Sequence, residues 1–312
     1  MSRFPCPLVG RLAPSPTGAL HLGNARSFLL AWLSIRRRGG RLRLRIEDVD
    51  GPRLKPHGER MALEDLAWLG LDWDGEVVRQ SDRGAIYARV VERLLGEGRA
   101  YPCVCTRKEV ERAASAPHEE WLDAPVYPGT CRGRYASVAE ARQRTGRPPA
   151  IRFAVDRDAV PFDDLFRGRE PGRIAGDFVI ARGEGGPAYQ LAVVVDDAAS
   201  GVTEVLRGDD LVPSTPRQLL LYEALGAAPP RFAHVPLMVG PDGRRLAKRH
   251  GDTTIRHLRA RGARPEDVVG YLAAKSGLRA RGARCMPADL LDDFDLARVP
   301  RGPVLGTDHG LG

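Results

Sequence analysis

The sequence predicts an α/β fold: a parallel sheet carries the site, a cysteine-bearing insertion separates the sheet's two halves, and a short helical C-terminal segment closes the chain. Three observations predict it. The N-terminal part alternates strand-like and helix-like runs in the order β-α-β-α. From Tyr101 to about Ala188 the texture changes to cysteines, prolines and short apolar runs. Strand and helix signals then resume, and from about Thr254 the pattern is helical and charged. The expected organisation is residues 1–100 and 189–253 as two halves of one domain, 101–188 as the insertion and 254–312 as the C-terminal region.

Cys6 to Leu12 reads as a strand that breaks on Pro14 and Pro16. A turn at Thr17-Gly18 and the string His21-Leu22-Gly23-Asn24 lead into a helical run from Ala25 to Arg37. A strand, a phosphate-sized turn and a helix N-terminus in succession suit an anion, because backbone N–H groups and the positive end of the helix dipole converge there. His21 stands at that mouth as a donor. Taken alone, the same residues also fit an ordinary strand-to-helix connection capped by Asn24.

Arg41–Ile46 alternates with period two and ends in the acidic cluster Glu47-Asp48-Val49-Asp50. Gly58–Leu69 and Ser81–Gly96 read as amphipathic helices, with Ser81 a candidate N-cap. In the insertion a helix is expected over Ser137–Arg144, and strands over Ala150–Val155 and Phe178–Ala181. Tyr189–Asp197 reads as a buried strand ending in acids and Val202–Leu206 as another strand. Thr215–Leu225 reads as a helix opened by Pro216, and after Arg279 the pattern becomes irregular. Ligands of such sheets bind beyond the carboxyl ends of the strands. Pro14–Asn24 and Glu47–Asp50 both fall at such ends.

Lys+Arg number 48 against 40 Asp+Glu, and the pI is near 9.6. A basic surplus favours polyanionic partners, nucleic acid first, although arginine-rich composition supplies part of it. No apolar run approaches the ~20 residues of a membrane span, and the N-terminus lacks the apolar core of a signal peptide. Five cysteines, an odd number with three clustered, argue against a disulfide scaffold and for a reduced cytoplasm with metal or free thiols. A monomer is the default expectation.

Three constellations carry chemistry. Pro241 to Asp252 is a glycine-bracketed loop bearing Arg244, Arg245, Lys248 and Arg249. Such a loop can fold over a triphosphate and neutralise charge developing at the α-phosphate; in isolation a solvated basic turn is the default reading. Arg11, Glu47, Tyr189 and Arg207 sit at or beside strand ends on one expected edge. Arginines suit carboxylates and an acid suits an ammonium, which together describe a dicarboxylic amino acid. A structural ion pair between strands is the other reading of Glu47 and Arg207. Cys103-Val104-Cys105 followed by Cys131 offers three thiolates to a tetrahedral zinc, with His118 first and Asp123 second as chemical candidates for a fourth ligand. Cys6 and Cys285 stand alone and are expected to be inert.

The string Arg11-Leu12-Ala13-Pro14-Ser15-Pro16-Thr17-Gly18, running into His21-Leu22-Gly23, resembles the first signature of class I aminoacyl-tRNA synthetases, the "HIGH" region, in its glutamate-specific form. Asn24 replaces the final His of that signature. Arg245-Leu246-Ala247-Lys248-Arg249-His250-Gly251 resembles the second signature, the "KMSKS" loop; Lys248 matches its second lysine, Arg245 stands at the first and Ala247 replaces the usual Ser. The resemblance covers roughly residues 9 to 275 and implies a Rossmann-like class I synthetase sheet. It implies ATP bound by Pro14, Thr17, Gly18, His21, Gly23, Asn24, Arg245 and Lys248, with Mg²⁺ accompanying ATP and His21 and Lys248 catalytic. It implies L-glutamate held by Arg11, Ala13, Ser15, Glu47, Tyr189 and Arg207. Tyr101-Pro102-Cys103-Val104-Cys105 with Tyr127 and Cys131-Arg132-Gly133 resembles the zinc module of that branch, where a tyrosine oxygen completes the site. The implied ligands of one zinc per chain are Cys103, Cys105, Tyr127 and Cys131, with His118 the rival to Tyr127.

The longer glutamate enzymes continue with a helical anticodon-binding region, whereas this chain stops soon after the Lys248 loop. Asp210-Leu211 also stands where those enzymes commonly carry Glu-His. The chain therefore resembles the shorter paralogues. These activate glutamate with ATP and transfer it to the queuosine base in the anticodon stem-loop of tRNA(Asp), whose cyclopentene-diol mimics a terminal ribose. The other readings are a truncated or split enzyme charging tRNA(Glu), a related nucleotidyl transferase with a small acceptor, and a non-catalytic tRNA-binding paralogue. The last is expected to lose His21 or Lys248, and both are present.

Overall fold

The computed structural model describes residues 7–49, 54–113, 126–244, 246 and 253–307. Strand β1 (Val9–Leu12) is buried throughout and leads through the Pro14–Gly18 turn into helix α1 (Leu22–Arg36). The helix returns to β2 (Arg41–Ile46), which runs parallel to β1 with Val9 beside Arg41 and Leu12 beside Leu44. Most of α1 is buried, including Leu22, Leu29, Leu30, Leu33 and Ile35, because it touches β1, β2 and other strands and also a C-terminal helix. Each such aliphatic side chain contributes about 1.5–3 kcal/mol by burial.

Helix α2 (Gly58–Trp68), strand β3 (Val78–Arg79) and helix α3 (Gly84–Gly96) follow, β3 extending the sheet parallel to β2. The helix expected from Ser81 begins later. Gln80–Arg83 forms a 3-10 turn, and Ser81 spends its N–H (2.8 Å) and hydroxyl (2.6 Å) on the carboxylate of Asp48 instead of capping α3.

The insertion opens with β4 (Ala100–Cys103) and helices α4 (Arg107–Ala113) and α5 (Val138–Thr145), the latter capped by Ser137. Strand β5 (Ala150–Phe153) pairs antiparallel with β4. The hairpin of β6 (Phe162–Asp164) and β7 (Gly168–Glu170) then leaves this small sheet, and β8 (Phe178–Ala181) returns to it beside β5.

The segment Tyr189–Asp197 is not a strand. It lies in helix α6 (Tyr189–Ala199), with Leu191 to Asp197 buried without a break. A short, wholly buried apolar run has no solvent face to reveal its period, so Val193-Val194-Val195 read as strand on composition alone. Strand β9 (Glu204–Gly208), helix α7 (Thr215–Leu225) and strand β10 (Arg231–Val235) complete the second parallel unit. Here β6 joins from the insertion, pairing parallel to β10.

The two halves meet where β1 lies beside β9. Thr203 N–H donates to Val9 O (2.8 Å), and Val9 N–H donates to Thr203 Oγ1 (2.9 Å). From this seam the chain winds one way to β2 and β3 and the other way to β10 and β6. That reversal is a topological switch point, where a crevice opens beyond the strand ends.

Strand β11 (Met238–Val239), helices α8 (Ile255–Ala260) and α9 (Pro265–Lys275), and strand β12 (Val304–Leu305) finish the chain. The stretch after Arg279 is not patternless: 3-10 turns carry it back so that β12 pairs with β11, Met238 beside Val304. Cys285 is buried in the main apolar core, in keeping with an inert thiol. Among the described residues no helix is long and apolar enough to cross a membrane.

Gly58 opens α2 against the Pro14–Gly18 turn, and a Cβ there would lie 2.2 Å from the carbonyl oxygen of Pro16. Backbone cannot yield as a flexible side chain can. Gly58→Ala is expected to lose roughly 1–3 kcal/mol of stability, read as a lowered urea midpoint at unchanged m.

Candidate active site

Above the seam lies a cavity of ≈ 590 Å³, lined by residues from the Arg11–Ser27 segment and by Glu47, Tyr189, Arg207, Asp210, Met238, Thr253 and Thr254. His21 forms the N-cap of α1, its Nδ1 accepting N–H bonds from Gly23 (3.1 Å) and Asn24 (3.3 Å). The ordinary-connection reading would have Asn24 as the cap; the structure gives it to His21. Accepting at Nδ1 places the ring proton on Nε2, so the imidazole caps as a neutral group. The helix N-terminus beneath it is the expected anion platform.

The turn around His21 is held from two sides. Leu20 N–H donates to the buried carboxylate of Asp65 (3.0 Å), whose carboxyl burial pushes up to about 6. Leu22 N–H donates to Thr253 O (3.1 Å) and Ile255 N–H to Leu20 O (2.7 Å), an antiparallel bridge centred on His21 and Thr254. This fixes Thr253, which follows the basic loop and lines the cavity, while Leu246 within the loop is buried and donates its N–H to Met238 O (3.0 Å). Arg245 and Lys248 themselves lie outside the described residues.

Arg11, at the end of β1, and Arg207, at the end of β9, are both buried and both line the cavity. Arg11 Nε stands 3.7 Å from Asp197 and has no hydrogen-bond partner among the described residues. Arg207 has no carboxylate beside it in the ion pairs of the described residues. Its Nε donates to His234 Nε2 (3.0 Å) and its Nη2 to Thr215 Oγ1 (2.9 Å), while Nη1 finds no partner among the described residues. Burial, with Arg11 adding to it, pushes the Arg207 guanidinium below its ordinary range. Two buried cations lining one cavity, each with an N–H that no described residue accepts, favour an anionic ligand there. Tyr189 stands at the first turn of α6 on the same wall, its phenol pushed up by burial.

Glu47 is not paired with Arg207. It accepts from Arg45 Nη2 (3.0 Å), and Arg45 in turn donates to Asp197 (2.5 Å). Glu47 therefore faces the cavity with its position fixed from behind. Ala13, Pro14, Ser15, Thr17, Gly18, Gly23 and Asn24, also expected at the site, line the same cavity.

Residues 7–288 match the family described as "tRNA synthetases class I (E and Q), catalytic domain". The chain belongs to that family. A class I synthetase named Glutamyl-Q tRNA(Asp) synthetase, from Symbiobacterium thermophilum, is 53% identical over 95% of each chain. A Glutamate–tRNA ligase from Aquifex aeolicus is 46% identical over 95% of this chain and 63% of its own length. The structure of a glutamate tRNA ligase from Elizabethkingia meningosepticum in complex with its amino acid superposes with a TM-score of 0.80, at 29% identity over 96% of this chain and 67% of that one.

The synthetase insertion gathers the Sγ atoms of Cys103, Cys105 and Cys131 within 4.8 Å of one another. Tyr127 Oη lies 3.3 Å from Cys103 Sγ and 3.8 Å from Cys105 Sγ, and accepts the N–H of Cys131 at 2.8 Å. Ligands about 2.3 Å from a tetrahedral zinc lie roughly 3.8 Å apart, so these four atoms fit such an ion. Arg152 supports the set, donating to Cys103 Sγ (3.2 Å) and lying 3.7 Å over the Tyr127 ring. Burial pushes the Cys105 thiol up to about 12 and the Tyr127 phenol up as well; a bound dication reverses both. His118, Asp123, Cys6 and Asp50 lie outside the described residues.

Sequence reasoning missed the groups behind the ligand wall: Arg45, Thr215, His234 and Asp164. His234 gave only the weak signal of a lone histidine in an apolar strand. It is fully buried, with Nδ1 2.6 Å from Asp164 Oδ2, and burial pushes its pKa down to about 4 from 6.5. An unfolded chain takes up that proton near pH 6.5 and the folded one does not, so this contribution is complete above pH 6.5 and lost as pH falls towards 4. Its size is on the order of 3 kcal/mol. Urea titrations are expected to show wild type losing stability over that window more steeply than His234→Gln.

Proposed function

We propose that this chain activates L-glutamate with ATP and transfers it to the queuosine base in the anticodon of tRNA(Asp). The observation that carries the reading is that two buried guanidiniums, Arg11 and Arg207, each with an N–H that no described residue accepts, belong to residues lining the same cavity as the His21-capped helix N-terminus. A dicarboxylic amino acid meets the arginines through its carboxylates and Glu47 through its ammonium. Ala13, Ser15 and Tyr189 border it. ATP lies over Pro14, Thr17, Gly18, His21, Gly23 and Asn24, with Arg245 and Lys248 supplied by the basic loop.

The first step joins the glutamate α-carboxylate to the α-phosphorus of ATP and breaks the bond to pyrophosphate. His21, through Nε2–H, and Lys248 stabilise charge spreading onto the phosphate oxygens. Mg²⁺ bound with ATP supplies neutralisation at the leaving pyrophosphate. In the second step a hydroxyl of the queuosine cyclopentene-diol takes the glutamyl group and AMP leaves. The choice of acceptor is supported by the relatives of that name, which match this chain over nearly their whole length.

Glutamate is expected to drive ATP–pyrophosphate exchange without any tRNA, and glutamate to be esterified to tRNA(Asp) carrying queuosine but not to the same tRNA with guanine at that position. Exchange that requires tRNA(Glu), or charging of tRNA(Glu), would overturn the acceptor assignment.

We further assign one zinc to Cys103, Cys105, Tyr127 and Cys131, a structural role in the insertion. Elemental analysis is expected to give one zinc per chain, and its removal with a strong chelator to lower Tm by several degrees. A metal-free chain of unchanged Tm would contradict this.

A further inference from the structure

The imidazole of His234 is held at both nitrogens. On one side Asp164 Oδ2 lies 2.6 Å from Nδ1; on the other, Arg207 Nε donates to Nε2 at 3.0 Å. The second carboxylate oxygen of Asp164 is already occupied, because Oδ1 accepts the N–H groups of Phe166 (2.9 Å), Arg167 (2.9 Å) and His234 (3.2 Å). Oδ2 is therefore aimed at the ring as an acceptor, and the imidazole proton sits on Nδ1. Nε2 is left as an acceptor, meeting Arg207 Nε at 3.0 Å and the Thr215 hydroxyl at 3.2 Å.

This arrangement separates orientation from neutralisation. A carboxylate directly on Arg207 would orient it and also compete with a ligand carboxylate for its charge. The neutral imidazole, Thr215 Oγ1 at 2.9 Å and Leu211 O at 3.4 Å fix the guanidinium by hydrogen bonds and leave Nη1 unpartnered among the described residues. Asp164, at the end of β6, comes from the insertion, and His234 lies on β10, so the pairing of β6 with β10 sets the relay's geometry.

We propose that Asp164 and His234 are positioning residues for amino-acid recognition: Asp164 fixes the imidazole tautomer, and His234 Nε2 holds Arg207 with Nη1 facing the glutamate carboxylate. The proposal rests on the reading of Arg207 as a glutamate ligand.

Asp164→Asn tests it with almost no change of shape. Three backbone donors hold the amide oxygen where Oδ1 was, so the amide NH₂ meets Nδ1 and drives the ring proton to Nε2, donor against donor with Arg207. In ATP–pyrophosphate exchange the glutamate KM is expected to rise roughly ten- to a hundred-fold, with ATP KM unchanged. Imidazole ¹⁵N shifts are expected to move the proton from Nδ1 to Nε2. His234→Ala is expected to raise glutamate KM likewise, and His234→Gln, which returns an acceptor near Nε2, to recover most of it; this pair serves if Asp164→Asn does not fold. Arg207→Gln separates the two levels. If it raises glutamate KM while Asp164→Asn and His234→Ala do not, the relay is wrong and the ligand assignment stands. If Arg207→Gln leaves glutamate KM unchanged, the ligand assignment fails and takes the relay with it.

Discussion

The cavity depends on two adjacent carboxylates of α6. Asp196 and Asp197 are fully buried, and successive helix residues point about 100° apart, so each meets a different set of partners. Asp196 gathers Gln80, Arg83 and Tyr87 at 2.9, 2.6 and 2.8 Å. Asp197 takes Arg45 and Arg11, and through Arg45 sets Glu47. One end of one helix therefore fixes the ends of β1 and β2 and the entry to α3, while its other end delivers Tyr189. Buried ions cost several kcal/mol each to desolvate, and removing one partner of such a pair costs about 3–5 kcal/mol because the other charge is left unpaired. The network contributes arrangement more than net stability.

Much of the site could be read from the chain because its residues cluster in short strings. Arg11 to Asn24 is one continuous turn between a strand and a helix, so sequence neighbours are also cavity neighbours. Glu47, Tyr189 and Arg207 were placed correctly on the cavity even though the element carrying Tyr189 was misread. A residue at the first turn of a helix and one at a strand start can reach the same wall. Helix α6 is misread because its run Leu191–Asp197 is buried on every side, so no polar face marks the helical period, and the partners of Asp196 and Asp197 lie far away in the chain. The relay behind Arg207 was invisible for the same reason, since Asp164 and His234 meet only through the pairing of β6 with β10. At the cysteine cluster, ligand-type frequency alone points to a histidine, while the motif resemblance points to Tyr127, whose phenol stands within reach of the thiols.

The insertion is more than a decoration on the sheet. Its small antiparallel sheet β4–β5–β8 carries the cysteine cluster at the end of β4. Its β6–β7 hairpin crosses back to become an edge of the catalytic half. Main-chain pairing on that edge and the Asp164–His234 contact bind the insertion to the strand behind the cavity wall that Arg207 lines. The module that carries the cysteine cluster is thereby built into the layer that lines the cavity.

The bridge between Leu20–Leu22 and Thr253–Ile255 is made of main-chain groups alone. Side-chain replacement at those positions leaves its donors and acceptors in place. The distance between the helix-capping histidine and the foot of the basic loop is consequently written in residue count rather than in residue identity. An insertion or deletion there shifts the register, whereas a substitution preserves it. This part of the enzyme is governed by the spacing of its chain, and its chemistry can drift around that fixed spacing.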